Sequence, residues 1–454
     1  MSPLPSLAPS PTQELRKLVI GEVSNITRSV QPSMYTPQHV SIGPNHRTWH
    51  PTLARDDEKN ACLRAILPVE TTVEACLDEL TLLEDQARSC YSRKVDNMDS
   101  DQFVRTLLRD GCYLLACFKE DDADDDGRSS DGSASSPADH RGGTPSVVPA
   151  TGGRNTLDDV AVVRDVFFLA ENQIPFFVVD KIHQLSVVDG GAPTVNPVVW
   201  YPKKLLECRQ YSVAEPEIGG ESWPGDLLHL LYMHLMPAVL KGKAKAPSGR
   251  GVPDKKTVGR WRKATEYDSA GIKFRSLPLG TDGVSCILDV KMDSRRGILG
   301  VPRLNIDADT WRLLRNLMAL EQHNPEATGK HVTAYCIFMS QVASTAADVD
   351  LLSGNGVIVH VLGSHTDAAV FFTSLCKGIM FNANEPGSNY LLATYHQMEK
   401  QFRSRLRRWK ALLVRKHSNP WITVGLIAGA LGLACVPWCK QFSLFWVTGM
   451  ERAN

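Results

Sequence analysis

Three consecutive polar residues inside an apolar stretch are the first place where this chain has side chains suited to chemistry. The stretch ENQIPFFVVDKIHQL begins with Glu171, Asn172 and Gln173, and Pro175 follows two residues later. A catalytic interpretation needs a base or nucleophile beside a cleft, but Asn and Gln are neither, and one glutamate alone does not make a site. A buried chain break, in contrast, needs polar groups to hydrogen-bond its free backbone atoms. We therefore predict a structural turn.

The residues on either side predict two apolar helices joined by a tight break. The run TLDDVAVVRDVFFLA indicates one helix that ends at about Ala170, and Pro175 suits the first turn of a second helix. We expect Glu171, Asn172 and Gln173 to satisfy the end of the first helix and the free N–H groups of the second. The glutamate would be favoured by the positive end of that second helix.

Other catalytic and metal-binding patterns are missing from the sequence or weak. The chain contains no G-x-S-x-G elbow, H-E-x-x-H pair, P-loop or G-x-G-x-x-G fingerprint. His39, His46 and His50 lie close together, but no cysteine or acid stands at a matching offset for a metal site. We predict no catalytic residue, metal or cofactor. An enzyme with an unrecognised site around Glu171, His46 or Asp165 is the alternative.

The overall composition is that of a globular protein. The chain has 454 residues, of which 43% are hydrophobic and 22% charged, enough for one large domain or two ordinary ones. Its 50 basic and 50 acidic residues balance, which argues against a dedicated nucleic-acid binder. The 11 cysteines are odd in number and mostly lie in apolar helical patterns, as Cys76 and Cys112 do. We interpret them as small buried hydrophobic residues rather than a disulfide framework.

An uncharged run near the C-terminus predicts a transmembrane helix. Residues 420–439, PWITVGLIAGALGLACVPWC, have about the length that a helix needs to cross a bilayer core. Trp421 and Trp438 stand at its two edges, where indole rings favour the membrane interface. Gly425 and Gly429 form a small-xxx-small pair that would let two spans pack as a homodimer. A buried core helix is the alternative interpretation.

The charges that flank this run predict its orientation. Seven Lys or Arg residues lie between positions 403 and 416, against Lys440 and Arg452 on the other side. The positive-inside rule then puts the large N-terminal part in the cytosol. Residues 402–417 also have the pattern of a basic amphipathic helix suited to an anionic leaflet. Because the N-terminus lacks a signal-peptide pattern, we expect a single-pass protein with a C-terminal anchor, at the plasma membrane.

Composition also divides the chain into a globular domain and several polar segments. We predict a disordered tail over residues 1–34, a globular domain over 35–418 and a short C-terminal tail over 440–454. Inside the domain, an acidic, Ser- and Gly-rich insertion spans 120–156 and a basic loop spans 241–262. The basic loop is suited to nucleic acid or lipid, but we favour a solvated loop that balances the acidic insertion, with no nucleic-acid partner.

The remaining segments predict a mainly α-helical fold, one large helical domain with a small antiparallel β portion. Helical steps recur in VEACLDELTLLEDQARSCY, DQFVRTLLRDGCYLLACF and DTWRLLRNLMALEQ. HVTAYCIFMSQVAS is a further apolar helix, although its β-branched start would also suit a strand. GIKFR, SCILDVKM and GILGVPRLNI are typical of short strands. SGNGVIV, which contains Gly354 and Gly356, is interpreted as a turn between helices.

Ten blocks of sequence, in order, resemble one plant family. They include VSIGPNH from Val40, EKNACLRAIL from Glu58, LLRDGCYLLACF from Leu107, ENQIPFFVV from Glu171 and RNLMALEQ from Arg315. Together they are similar to the plant proteins grouped as domain of unknown function 247, or UPF0481-like proteins, over almost the whole chain. The motif residues are Ser41, Gly43, Pro44 and His46 of the first block and Glu171, Asn172, Gln173 and Pro175 of the fourth.

The chain departs from the family pattern at two places. An aromatic residue and a histidine usually follow SIGP in the family, whereas Asn45 and His46 stand there in this chain. Asp165 and Glu171 have five residues between them, where the family usually has four. The second departure predicts a slightly different end for the helix before the turn.

The resemblance implies a membrane-anchored recognition protein rather than an enzyme. It carries over no catalytic residues, and family members commonly end in one membrane span. In grasses, members are linked to the two self-incompatibility loci at which pollen recognises a self stigma. We therefore expect protein–protein interaction in recognition or signalling, the pollen-side determinant being one such role, with a protein partner still to be identified. The variable segments 120–156 and 241–262 are the expected specificity loops, and a membrane-tethered scaffold is the alternative.

Overall fold

A computed structural model describes six stretches of the chain. They are residues 18–118, 156–187, 196–219, 222–241, 259–385 and 388–404. Several predicted segments lie outside them: the acidic insertion except Thr156, most of the basic loop, most of the amphipathic segment 402–417, the span with Trp421, Gly425, Gly429 and Trp438, and the tail 440–454. Among the helices of these six stretches, none combines the length and the apolar character needed to cross a bilayer.

The described residues are mainly helical, as the sequence predicts. The first half contains α1 Asn25–Val30, α2 Pro44–Trp49, α3 Asp56–Ile66, α4 Glu70–Leu82, α5 Glu84–Arg88, α6 Ser100–Cys117, α7 Thr156–Phe167, α8 Phe176–Ser186, α9 Tyr201–Cys208, α10 Leu227–Met233 and α11 Ala238–Lys241. The second half contains α12 Ala264–Ser269, α13 Thr310–His323, α14 Pro325–Thr328, α15 His331–Val342, α16 Ala346–Gly354, α17 His365–Leu375 and α18 Leu392–Arg403. HVTAYCIFMSQVAS is therefore a helix, α15.

Helix α6 is the centre of the first half. It packs against α3, α4 and α8, and its apolar face, with Phe103 and Leu107, is fully buried. Gly111 lies where α6 meets α8, and a Cβ atom at this position would be 2.3 Å from Cδ1 of Ile182. The missing side chain therefore allows the two helices to approach closely. Cys76 and Cys112 are buried free thiols in this core, as expected.

Helix α13 is the centre of the second half. It packs against α15 and α17, while α10 contacts both α7 and α13. Leu313 and Leu317 of α13 belong to the same apolar cluster as the residues of α6. One core therefore extends through both halves of the described chain.

The β portion is small but not purely antiparallel, so this part of the prediction is wrong. Five strands are described: β1 Lys273–Leu277, β2 Lys291–Asp293, β3 Ile298–Pro302, β4 Leu304–Ile306 and β5 Ile358–His360. β3 pairs in parallel with β1 and antiparallel with β2, and β4 pairs in parallel with β5. β5, Ile358–His360, starts in the segment interpreted as a turn between helices, just after the turn at Gly356. Helices α13 to α16 separate β4 from β5 along the chain, which allows the parallel pairing.

From Leu18 onward, the segment predicted as a disordered tail is folded. The amide of Ile20 donates to the carbonyl of Cys90 at 2.7 Å, and the amide of Ser92 donates to the carbonyl of Ile20 at 3.2 Å. Ile20 and Val23 are buried in the core. The Pro- and Ser-rich composition before Leu18 concealed this apolar segment, which is short and has no helical period.

The end of the predicted basic loop also belongs to the folded domain. Trp261 is buried, and its ring lies 4.8 Å from that of Phe338 and 5.1 Å from that of Tyr395. Arg262 forms an ion pair with Glu399, with 2.9 Å between Nε and Oε1. These contacts connect the start of α12 to α15 and α18.

Candidate functional site

The turn at Glu171–Gln173 lies in the core between α7 and α8, and all three side chains are buried. Helix α7 ends at Phe167, a few residues before the predicted end at Ala170. The physical reason is that the side chains of Asn172 and Gln173 take the last carbonyl groups of α7, so the helical pattern of backbone bonds stops. Pro175 precedes the first residue of α8, as predicted, and fixes the direction of the chain there.

Asn172 connects this turn to the SIGP segment. Its Nδ2 donates to the carbonyls of Val40 and Asp165, both at 3.0 Å. Its Oδ1 accepts from the amide of Ile42 at 2.7 Å. The amide group therefore binds three backbone groups from two distant segments, as a structural residue does.

Gln173 connects the end of α7 to the start of α10. Its Nε2 donates to the carbonyls of Val166 and Leu169, at 2.6 and 2.9 Å. Its Oε1 accepts from the amide of Leu227, the first residue of α10, at 3.1 Å. The prediction that this side chain satisfies a helix end is confirmed, and the second helix that it contacts is α10 rather than α8.

Glu171 binds the N-terminal segment, so its predicted position at the start of α8 is wrong. Its carboxylate accepts two bonds from Nη2 of Arg28, of which the bond to Oε2 is 2.6 Å long, and a bond from the amide of Val23. The first free amide of α8, that of Phe176, instead donates to the carbonyl of Gly225 at 2.8 Å. Burial raises the pKa of Glu171, and the nearby Arg28 guanidinium opposes that shift.

The SIGP segment is held by a buried ion pair that the sequence did not reveal. Nζ of Lys59 in α3 lies 2.5 Å from Oδ1 of Asp110 in α6. The same Nζ donates to the carbonyl of Ser41 at 2.5 Å, and the other Asp110 oxygen accepts from the amide of Gly43 at 2.7 Å. A buried pair of this kind is tolerated because both charges have further hydrogen bonds.

Gly43 brings the SIGP segment into direct contact with the turn. Its φ of 71° is in the left-handed region, and a Cβ atom there would be 2.4 Å from the carbonyl oxygen of Gln173. Glycine is therefore required both by the backbone conformation and by the space. Pro44 follows as the first residue of α2, where the absence of an N–H group costs nothing.

Asp165 completes the polar cluster from the side of α7. Its Oδ2 accepts from the amides of Gln38, His39 and Val40, at 2.9, 2.6 and 3.1 Å. Burial raises the pKa of Asp165, and these three amide groups oppose that shift. The side chain thus fixes the segment before SIGP instead of facing a cleft.

His46 is the side chain closest to a catalytic arrangement. It is 1% exposed, and its Nε2 lies 3.6 Å from Oε2 of Glu171. Burial and the charge of Arg28 lower the pKa of His46 to about 3, so the ring is neutral and the contact is not an ion pair. A distance of 3.6 Å is also too long for the hydrogen bond that orients a general base.

The three neighbouring histidines do not form a metal site. The rings of His46 and His50 are stacked with centroids 6.1 Å apart, while His39 contacts Arg55. Across the six described stretches, no group of three or more His, Cys, Asp or Glu side chains is arranged to hold a metal ion.

Two further buried polar residues, Arg315 and Asn316 of α13, bind the same region. Asn316 accepts from the amide of Ala170 at 3.0 Å and donates to the carbonyl of Met34 at 2.9 Å. Arg315 reaches the N-terminal segment at the carbonyl of Thr27, at 3.2 Å. The signal in the sequence is the pair of polar residues in the otherwise apolar run RNLMALEQ, as it is for Asp110 in LLRDGCYLLACF.

An open cleft lies over one side of this cluster. Its volume is about 520 Å³, and Glu171 and Pro44 form part of its floor. The remaining walls are Glu22, Asn45, Trp49 and the loop formed by Arg93, Lys94, Val95, Asp96 and Asn97. Glu171 lines this space while Arg28 and the amide of Val23 bind its carboxylate oxygens, so this carboxylate already has hydrogen-bond partners within the protein.

Comparison with known proteins identifies the family. A family model described as a plant protein of unknown function, domain of unknown function 247, matches residues 20–435. Because the match covers most of the chain, the chain belongs to this family. The polar cluster is built from residues of the same sequence blocks, which include SIGP, EKN, RDG and ENQ.

Two proteins of Arabidopsis thaliana are similar to the chain. UPF0481 protein At3g47200 is 23% identical over 422 residues, which cover 87% of this chain and 79% of that protein. A second UPF0481 protein, At3g02645, is 31% identical over 116 residues, which cover 25% of this chain and 21% of that protein. No solved structure matches the chain. Neither of the two names states an activity.

Proposed function

We propose that this chain acts by binding a partner protein while its C-terminal segment anchors it to a membrane, and that it is not a catalyst. The observation that supports this most directly is how the polar motif residues are used. Within the described residues, Glu171, Asn172 and Gln173 bind backbone groups or Arg28. None of the three is left as a free base or nucleophile beside the cleft.

The family resemblance suggests the biological setting of such binding. Recognition between pollen and stigma, with this chain as a pollen-side component, is the role that we propose to test first. The segments 120–156 and 241–262 are the proposed specificity loops, because variable loops on a rigid scaffold commonly carry recognition. The buried cluster would then supply the rigidity of that scaffold.

The membrane part of the proposal is supported by the uncharged run 420–439 and its basic N-terminal flank. Its test is protease treatment of intact cells that express the full chain with an N-terminal tag. We expect the tag to be protected and the protein to resist extraction from membranes by alkaline carbonate. A matched chain that ends at residue 419 should be released. Release of the full chain would contradict the anchor, and cleavage of the tag would contradict the cytosolic orientation.

The binding part is tested by partner exchange. The tagged full chain is cross-linked in plant cells, and its cross-linked proteins are compared with those of a chain whose residues 120–156 and 241–262 come from a family relative. We expect a reproducible set of partners that changes with the exchanged loops. An unchanged set would contradict the assignment of specificity to the loops, and no set above the background of an unrelated tail-anchored protein would contradict partner binding itself.

A further inference from the structure

The cleft beside Trp49 has fixed walls on both sides. The N-terminal segment is paired with the chain at Tyr91, through a bridge between Ile20 and Tyr91. The loop that follows is held from below by Arg88, whose guanidinium donates to the carbonyls of Val95 at 2.6 Å and Met98 at 3.1 Å. A ligand would therefore meet a preformed surface and would not have to order a loop.

Its rim carries two exposed side chains, Trp49 and Arg93, which contact each other and their neighbours only at long range. Trp49 is 43% exposed. The nearest carboxylate to Arg93 is that of Glu22, with 4.0 Å between Nη1 and Oε1, and the Arg93 guanidinium carbon lies 5.9 Å from the centre of the Trp49 ring. The first distance is at the limit of an ion pair and the second at the limit of a cation–π contact, so both contacts of this exposed arginine are weak. Trp and Arg are the residue types most enriched among the residues that dominate protein–protein binding.

The size and chemistry of the cleft select the kind of ligand. A volume of about 520 Å³ holds a few side chains of a peptide. The fork of Arg93 donors matches a carboxylate in geometry and charge, and Lys94 beside it adds a second cation. A basic ligand would be repelled by Arg93 and Lys94. A long acidic run would be repelled by Glu22 and Asp96 on the same rim.

We propose that this cleft binds a short segment of a partner protein, in which one Asp or Glu contacts Arg93 and an adjacent apolar side chain packs on Trp49. This proposal rests on the proposed partner-binding function and names its surface and the chemistry of its ligand. Glu171 on the floor of the cleft offers the ligand no unpaired negative charge, since its carboxylate is paired with Arg28.

The test uses the purified full chain in detergent and fluorescently labelled peptides of eight residues. The peptide library has Leu or Phe beside a central Glu, with matched series in which the central residue is Gln or Lys. We expect the Glu series to contain binders that the Gln and Lys series lack. The variant Arg93→Gln should weaken these binders about 10-fold or more, as expected for the loss of a charge-assisted hydrogen bond. Trp49→Leu should weaken them as well.

The control is Arg105→Gln, because Arg105 is an exposed arginine of α6 that pairs with Asp101 outside the cleft. It should bind the peptides as the unchanged chain does. An absence of binders in the Glu series, stronger binding by the Lys series, or equal binding by Arg93→Gln would each overturn the proposal. Cross-linked partners that persist in Arg93→Gln cells would show that partner binding stands and that the cleft is not its surface.

Discussion

At the residue scale, the carboxylate of Glu171 acts as an anchor for the N-terminal segment. It binds Arg28 twice and the amide of Val23, at a position where only 1% of its surface is exposed. A carboxylate whose oxygens are bonded in this way stabilises the segment that it binds. Removing it leaves the charge of Arg28 without its counter-ion.

The substitution Glu171→Gln should therefore detach this segment. We expect a loss of about 2–4 kcal/mol in the free energy of unfolding, because the half-buried guanidinium of Arg28 loses the carboxylate that it pairs with. Hydrogen exchange at the amide of Val23 should accelerate. The control is Glu22→Gln, since Glu22 is an exposed carboxylate of the same segment. Equal stability and equal exchange in the two variants would contradict the anchoring role.

His46 should make the protein sensitive to acid. Its pKa is lowered to about 3 in the folded chain, chiefly by burial, against about 6.5 when unfolded. Below pH 6.5 the unfolded chain therefore binds a proton that the folded chain does not, and stability falls as the pH falls. Between pH 6.5 and 5 this group contributes a loss of about 2 kcal/mol. Between these two pH values, the free energy of unfolding of His46→Gln, measured in urea, should fall by about 2 kcal/mol less than that of the unchanged chain. Equal falls in the two proteins would contradict the role of His46.

At the scale of elements, the SIGP segment and the turn before α8 fit together as one unit. Gly43 touches the carbonyl of Gln173, Asn172 binds Val40 and Ile42, and the Lys59–Asp110 pair holds the far side. Each element is short and irregular, so its conformation depends on the others.

Gly43→Ala tests this fit. The new Cβ atom would meet a backbone carbonyl at 2.4 Å, and the φ of 71° adds strain for any L side chain. We expect a loss of about 2–4 kcal/mol in the free energy of unfolding. Gly280→Ala is the matched control, because Gly280 has a φ of 79° with nothing within 4 Å of the added atom, and it should cost about 1 kcal/mol. Equal costs would contradict a close contact at Gly43.

The sequence predicted elements where a local pattern determines them. The helical faces of α6 and α13 follow from their apolar spacing, and the structural role of Asn172 and Gln173 follows from polar groups in a buried break. The partners of Glu171 did not follow, because Val23 and Arg28 lie about 145 residues earlier in the chain and only the tertiary fold brings them close. Strand β5 was missed for the same reason, since its pairing with β4 is non-local.

At the scale of the whole molecule, Arg315 joins the N-terminal segment to the end of α17. It is fully buried in α13 and donates to the hydroxyl of Tyr35 at 2.7 Å and to the carbonyl of Leu375 at 2.8 Å. Further bonds reach Thr27 and Lys377. A guanidinium at the C-terminal end of α17 also interacts favourably with the helix dipole.

Arg315→Lys should destabilise the entire fold. Lysine keeps the charge, but its single ammonium group does not span acceptors placed around a planar guanidinium, so buried carbonyl groups lose their donors. We expect a loss of about 3 kcal/mol in the free energy of unfolding. Unfolding should remain one cooperative transition, with its midpoint at a lower denaturant concentration. Arg303→Lys is the control, since Arg303 is exposed and its Nε donates to the carbonyl of Gly356 at a long 3.3 Å. A variant in which only α1 loosens would contradict this whole-molecule role.

The ENQ turn connects the SIGP segment, the end of α7 and the start of α10, and Asn172→Asp tests this structural role most directly. The carboxylate would keep the bond from Ile42 but would face the carbonyls of Val40 and Asp165 without a proton to donate. We predict a loss of about 3–5 kcal/mol in the free energy of unfolding at pH 7. Asn45→Asp, at a half-exposed asparagine with one bond of 3.3 Å, should change it little. A stable Asn172→Asp protein that no longer performs its cellular role would instead show that the turn is a functional site.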